Sequence, residues 1–147
     1  MALKEQIKDD MKTAMRARDK ARLSVIRLLQ AAIKQREVDE RTDLDDAGVL
    51  AVIEKMVKQR RDAETQYRDA DRDELADAEA AEITVLQAYL PEQLSDAQID
   101  AEIDAALAAT GAESMRGMGK VMGRLKPRLQ GKADMGEVSK RLKQKLQ

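Results

Sequence analysis

Tyr89-Leu90-Pro91-Glu92-Gln93-Leu94-Ser95-Asp96-Ala97-Gln98 is the stretch that divides the chain. Pro91 disfavours helix in the residue before it and has no N–H to donate, so a helix arriving from upstream must end here. Just beyond, Ser95-Asp96-Ala97-Gln98 carries the pattern of a capping box, in which the serine oxygen accepts a backbone N–H and the glutamine side chain returns the bond. One helix stops and another starts in quick succession. The pattern predicts a boundary at Pro91, with an amino-terminal domain over 1–90 and a smaller domain over 91–147.

Outward from this joint the apolar spacing is helical. After Leu3, the residues Ile7, Met11 and Met15 recur every four positions, and from Val25 the set Leu28, Leu29, Ala32 and Ile33 falls on one face. These predict two helices, or one bent helix, over about 2–40. A polar break at Asp39-Glu40-Arg41-Thr42-Asp43 precedes a run with Val49, Val52, Ile53, Met56 and Val57 on one side. Asp43, Asp45 and Asp46 suit its amino end, where carboxylates accept free N–H groups. The charged segment Arg68-Asp69-Ala70-Asp71-Arg72-Asp73 separates it from a fourth helix expected to turn Leu75, Ala78, Ile83, Leu86 and Leu90 inward. Such narrow stripes are expected to pack as antiparallel hairpins.

Downstream the units shorten. The capping box opens a helix with Ile99, Ile103 and Leu107, closed by Gly111. Ser114 is expected to cap a second, whose core face is Met118, Val121, Met122 and Leu125. Asp134 is expected to cap a third, with Val138, Leu142 and Leu146. The fold class read from the sequence is therefore all-α: an elongated amino-terminal helical hairpin or bundle domain, then a small three-helix carboxy-terminal domain.

Composition agrees and narrows the chemistry. Among 147 residues there is no Phe, Trp, Cys or His, charged residues make up 37%, and two prolines and seven glycines interrupt the chain. Such a mixture favours helix. Without Cys there are no disulfides, thiolate metal sites or Cys nucleophiles, and without His no Ser-His pair or His-bearing metal motif. Ser24, Ser95, Ser114 and Ser139 have no activating partner in sequence, and Glu74, Glu79 and Glu82 read as a solvated helix face. Tyr67 and Tyr89 read as packing residues with wet hydroxyls. No catalytic residue, metal or cofactor is expected. The first residues lack a signal-peptide core and no segment approaches the ~20 apolar residues of a membrane span, so a cytoplasmic location is the default expectation.

Charge is strongly polarised. Residues 1–90 hold 17 basic and 20 acidic groups, 91–114 none and six, and 115–147 ten and two, giving −3, −6 and +8 beneath a formal net charge of −1. A basic helical end is a footprint for phosphate, with a solvated basic face as the alternative. Arg116-Gly117-Met118-Gly119-Lys120-Val121-Met122-Gly123 lacks the Ser or Thr after lysine that a P-loop needs, and the dinucleotide fingerprint fails as well. On a helical wheel Arg116, Lys120 and Arg124 form one stripe opposite Met118, Val121, Met122 and Leu125. Gly119 and Gly123 lie beside that stripe and would admit the close approach of a second backbone. Lys126, Arg128 and Lys132 carry the charge through an expected Pro127/Gly131 turn, and Lys140, Arg141, Lys143 and Lys145 extend it. With no aromatic residue interleaved, a folded or double-stranded RNA backbone is a better partner than unpaired bases.

Together these residues resemble the YqeY-like proteins of the GatB/YqeY family over nearly the whole length. The resemblance rests on Tyr89-Leu90-Pro91-Glu92-Gln93-Leu94-Ser95, on Met118-Gly119-Lys120-Val121-Met122 with Gly131-Lys132-Ala133-Asp134, and on Arg72-Asp73-Glu74-Leu75 with Glu79, Glu82 and Ile83. It implies an all-helical protein whose tail is similar to that of the B subunit of the tRNA-dependent amidotransferase, where the tail helps hold tRNA. It also implies the family label, a carbon–nitrogen ligase with glutamine as amido donor. That activity is not expected from this chain alone, since it resembles only the tail and neither the amidase subunit nor the catalytic cradle. Lys132 stands where the family commonly has Arg, and Gly123 where a larger residue is frequent. The expected function is a non-catalytic tRNA-binding accessory protein, with Lys120, Arg124, Lys126, Arg128 and Lys132 as principal phosphate contacts. The alternative is a protein-interaction module docking a tRNA synthetase or amidotransferase.

Overall fold

The computed structural model describes residues 2–147 and is all-α, with seven α-helices and one 3₁₀ turn among the described residues. Four helices precede the joint: α1 (Leu3–Arg16), α2 (Lys20–Glu40), α3 (Asp46–Asp69) and α4 (Asp73–Gln87). Three follow it, α5 (Asp96–Thr110), α6 (Met118–Leu129) and α7 (Met135–Leu146), with the 3₁₀ turn Met115–Gly117 ahead of α6. The residues up to Leu90 form one compact unit and Pro91–Gln147 another. No described helix is long and apolar enough to cross a membrane.

In the first unit α1 and α2 form an antiparallel pair, tied across their far ends by Lys4 Nζ donating to Glu37 Oε2 at 2.7 Å. Ile7, Ile26, Leu29, Val49, Ile53 and Leu86 are almost fully buried, and each such side chain contributes about 1.5–3 kcal/mol. Several apolar positions lie off the expected faces. Met15 and Leu28 are 48% and 47% exposed, and Ala14 holds the buried position on α1. For Met15 the cause is geometric: each four-residue step overshoots a helical turn by about 40°, so the run Leu3, Ile7, Met11, Met15 walks off its face. On α4, Leu75 is 44% exposed and Ala78 is also exposed, while Ala76, Ile83 and Leu86 face inward.

The three corners of this unit close alike. Arg18, Arg41 and Asp71 adopt left-handed backbone with φ of 56°, 53° and 58°. The residue after each donates across the helix end: Asp19 N–H to Ala14 O at 3.0 Å, Thr42 N–H to Glu37 O at 3.1 Å, and Arg72 N–H to Tyr67 O at 2.8 Å. Glycine usually occupies that position. Asp45 caps α3 by accepting from Gly48 N–H at 2.9 Å. At Gly48 a Cβ would stand 2.9 Å from Leu44 Cδ2, so a side chain there would make the leucine shift.

The hydroxyl of Tyr89 is not wet. Tyr89 is 9% exposed and donates to Asp10 Oδ2 at 2.6 Å, fixing the end of the α4 segment to α1. Burial first, then this bond and the Asp10 charge, push its pKa well above the usual phenol range.

In the second unit the capping box forms as expected: Gln98 N–H donates to Ser95 Oγ at 3.2 Å and Ser95 N–H to Gln98 Oε1 at 2.9 Å. Asp134 likewise caps α7, accepting from Gly136 N–H at 2.9 Å. Ser114 caps nothing with its hydroxyl; it precedes the 3₁₀ turn, and α6 begins only at Met118. Pro127 makes no turn either. It sits inside α6, which runs on to Leu129. The fixed φ of proline is compatible with helix, and Leu125 and Leu129, 0% and 1% exposed, hold the segment on both sides of it. The turn falls at Gly131, whose φ of 82° favours glycine.

Candidate nucleic-acid interface

The core face of α6 is Val121, Leu125 and Leu129, with Met118 and Met122 packed against it. This sets what the opposite face presents: Lys120 and Arg124, then Gly119, Gly123 and Pro127, then Lys126, all exposed. Arg116, in the 3₁₀ turn, is exposed as well. No other part of the chain comes within 4 Å of where a Cβ would stand at Gly119 or Gly123. By contrast Gly117 needs its bare backbone internally, since a Cβ there would meet that of Ala112 at 2.6 Å.

The cations of the tail separate into two groups. One is engaged by α5, which carries Asp96, Asp100, Glu102 and Asp104 and no basic residue. Arg128 donates to both oxygens of Glu102, at 2.8 and 3.2 Å. That hydrogen bond, with the Arg128 and Lys132 charges, holds the Glu102 carboxyl below its ordinary pKa. Arg141, the least exposed of the group, reaches Asp96 at 3.0 Å, Asp100 at 3.3 Å and Glu137 at 3.4 Å. Lys145 pairs with Asp104 at 2.6 Å. The alternation of acids along α5 thus takes up one cation of α6 and two of α7. The whole unit carries ten basic and eight acidic residues, net +2.

The other group is Arg116, Lys120, Arg124, Lys126, Lys132, Lys140 and Lys143. All seven are exposed, and among the described residues none forms an ion pair within 4 Å. Sequence reasoning weighted Arg128 and Arg141 with these seven; their pairing depends on which helix faces which, a tertiary property. The signal that could have separated them is the set of acids on the preceding helix: Asp96, Asp100 and Asp104 at four-residue intervals, which pair with cations of α7, and Glu102, which pairs with Arg128.

Two of the quoted sequence matches meet in space. Gln93 Nε2 donates to Gly131 O at 2.6 Å and to Pro91 O at 3.0 Å, and Leu94 N–H donates to Lys132 O at 2.9 Å. The joint segment is therefore clasped to the Gly131–Lys132 loop. The segment contributes a side-chain amide and a backbone N–H to carbonyls of the loop, and the clasp fixes the backbone of Lys132 while its side chain stays exposed.

The sequence pattern of the Yqey-like proteins matches residues 4–146. The chain belongs to that family. Among curated proteins it is similar to "Altered inheritance of mitochondria protein 41, mitochondrial" of Pyrenophora tritici-repentis, at 31% identity over 141 residues, covering 95% of this chain and 78% of that protein. The proteins of the same name from Vanderwaltozyma polyspora and Kluyveromyces lactis are 33% and 36% identical over 85 and 84 residues. Those matches cover 57% and 56% of this chain, and span a little under half of each relative, 46% and 45%. The cytoplasmic expectation is corrected by these names, which are of mitochondrial proteins. It rested on the lack of an apolar leader, and organelle addresses are amphipathic rather than apolar.

Proposed function

We propose that the protein is a non-catalytic RNA-binding accessory factor whose ligand is tRNA, held by its phosphates on the outer face of α6. The observation that carries this reading is the set of unpaired cations on that face. Lys120 and Arg124 stand one helical turn apart on α6, about 6 Å along its axis, and Arg116 precedes them in the 3₁₀ turn. Lys126 lies across the Gly119/Gly123 strip and Lys132 follows beyond the helix end. Arg128 and Arg141 hold the unit together through α5, and are not needed as phosphate contacts.

The chemistry fits backbone recognition. Lysine and arginine without interleaved aromatic rings offer charge and hydrogen bonds and no stacking platform, so binding follows the shape of a folded RNA and weakens steeply with salt. The likeness of the tail to that of an amidotransferase subunit that holds tRNA supports the choice of ligand. Among the described residues no nucleophile, general base or metal set supports attributing the transamidation reaction to this chain.

The test is a mobility shift with bulk tRNA at low and moderate salt, comparing the wild type with Lys120→Glu/Arg124→Glu/Lys132→Glu. These side chains are exposed and unpaired, so folding is expected to survive. Affinity at low salt should fall by more than about tenfold. Equal binding by the two proteins removes the assignment.

A further inference from the structure

The first unit bears its own unpaired basic surface. Between Met11 and Arg36 the sequence holds eight basic residues and a single acid, Asp19, denser than in the tail. The overall −3 of residues 1–90 conceals it, because residues 37–90 hold sixteen acids against seven bases. Folding places those acids largely on α3 and α4, where Arg60 and Arg68 take up Glu82, Glu64, Asp73 and Asp77. Asp19 is occupied too, its carboxylate accepting from Arg22 N–H at 3.1 Å to cap α2.

What remains is a basic corner. Lys12 and Arg16 lie one turn apart on the outer face of α1. Arg18 forms the left-handed corner residue, and Lys20 and Arg27 follow on the outer face of α2. All five are exposed, and among the described residues none has an ion-pair partner. A shallow groove lined by Lys20, Leu23, Ser24, Arg27 and Leu28 runs along α2.

We infer that this α1–α2 corner is a second RNA-binding surface, contacting the phosphate backbone independently of the α6 face. The inference rests on the reading of the protein as an RNA binder. Spacing and composition favour RNA over a membrane: the apolar stripe of α1 is spent on the core through Ile7 and Ala14, 1% and 2% exposed. Of the large apolar side chains at the corner, Met15 and Leu28 are 48% and 47% exposed, a pair too small for the broad apolar face with which an amphipathic helix enters lipid, and residues 11–36 hold no aromatic residue. With two surfaces on one chain, occupation of one raises the effective concentration of RNA at the other. Residues 1–90 are then a working part of the binder.

The experiment compares four full-length proteins for binding to bulk tRNA and to a blunt RNA duplex across a salt series. They are the wild type, a corner variant (Lys12→Gln/Arg16→Gln/Lys20→Gln/Arg27→Gln), the α6 triple variant above, and their combination. The expected result is that the corner variant loses about tenfold or more at low salt with a shallower salt slope, and that the combination loses more than either. In wild-type protein, photocrosslinks to tRNA should map to peptides covering 12–27, which needs no variant to fold. If the corner variant binds like wild type while the α6 variant does not, the inference fails and the earlier reading stands. If both single variants bind like wild type, both readings fail. Unchanged tRNA affinity together with corner-dependent cosedimentation on phosphatidylserine vesicles overturns it in favour of a lipid surface.

Discussion

Gly119 and Gly123 occupy positions where alanine would make a better helix by about 1 kcal/mol each. Nothing inside the chain explains them, since the space beside both is open. If that space belongs to an RNA backbone, stability and binding must respond in opposite senses. The Gly119→Ala/Gly123→Ala protein is expected to unfold at higher temperature, and to bind tRNA several-fold more weakly. A stabilised protein with undiminished affinity would show that the strip admits no ligand. Tyr89 makes a different kind of residue-scale statement, because its hydroxyl bond spans from the end of α4 to α1. Tyr89→Phe should cost the first unit roughly 1–2 kcal/mol by leaving Asp10 without its donor. Urea unfolding curves that superimpose on those of the wild type would mean that water replaces the bond at no cost.

At the scale of elements, acidic helices do the neutralising. No Lys or Arg occurs between Arg72 and Arg116, so α4 and α5 present carboxylates alone, and arginines of neighbouring helices answer them. The α3–α4 hairpin is imperfectly balanced: burial, and then the Glu82 charge, push the Glu79 carboxyl above its ordinary pKa. A raised acid is bound more tightly to its proton in the folded state, so the ionised form opposes folding at neutral pH. Glu79→Gln is therefore expected to raise the melting temperature at pH 7, with the gain vanishing as pH falls through the ordinary carboxylate range of about 4–5. A gain that persists at pH 3 would assign the effect to packing. Glu102 has the opposite sign. Held low by Arg128, it contributes stability above its ordinary pKa and loses that contribution as pH falls through the lowered value.

Element boundaries were legible where local chemistry sets them. The Ser95/Gln98 box, Gly111 and Asp134 act through bonds to their own neighbours, so sequence alone reports them. Faces were legible only in part. Met15, Leu28, Leu75 and Ala78 fit an apolar pattern yet point outward, because the face a helix buries is set by the helices around it. Pro127 reads as a stop and is carried through by packing on both sides.

For the whole molecule, the near-neutral total hides charge sorted twice. Along the sequence, bases and acids fall in separate blocks; in the fold, α5 cancels part of the tail's basic block while the acids of α4 pair with arginines of α3, and two exposed basic remainders are left. The tail's remainder was legible as an excess of charge, but not which of its cations are free. The remainder at the α1–α2 corner was hidden by averaging over 90 residues. The most direct measurement is the salt dependence of tRNA affinity for wild type and for Lys120→Gln/Arg124→Gln. Each lost phosphate contact should reduce the slope of log K against log salt by roughly 0.7–0.9, so the double variant should fall short of wild type by about 1.5. Parallel lines of equal slope would mean that these two cations face water alone, and the assignment of α6 to RNA would be wrong.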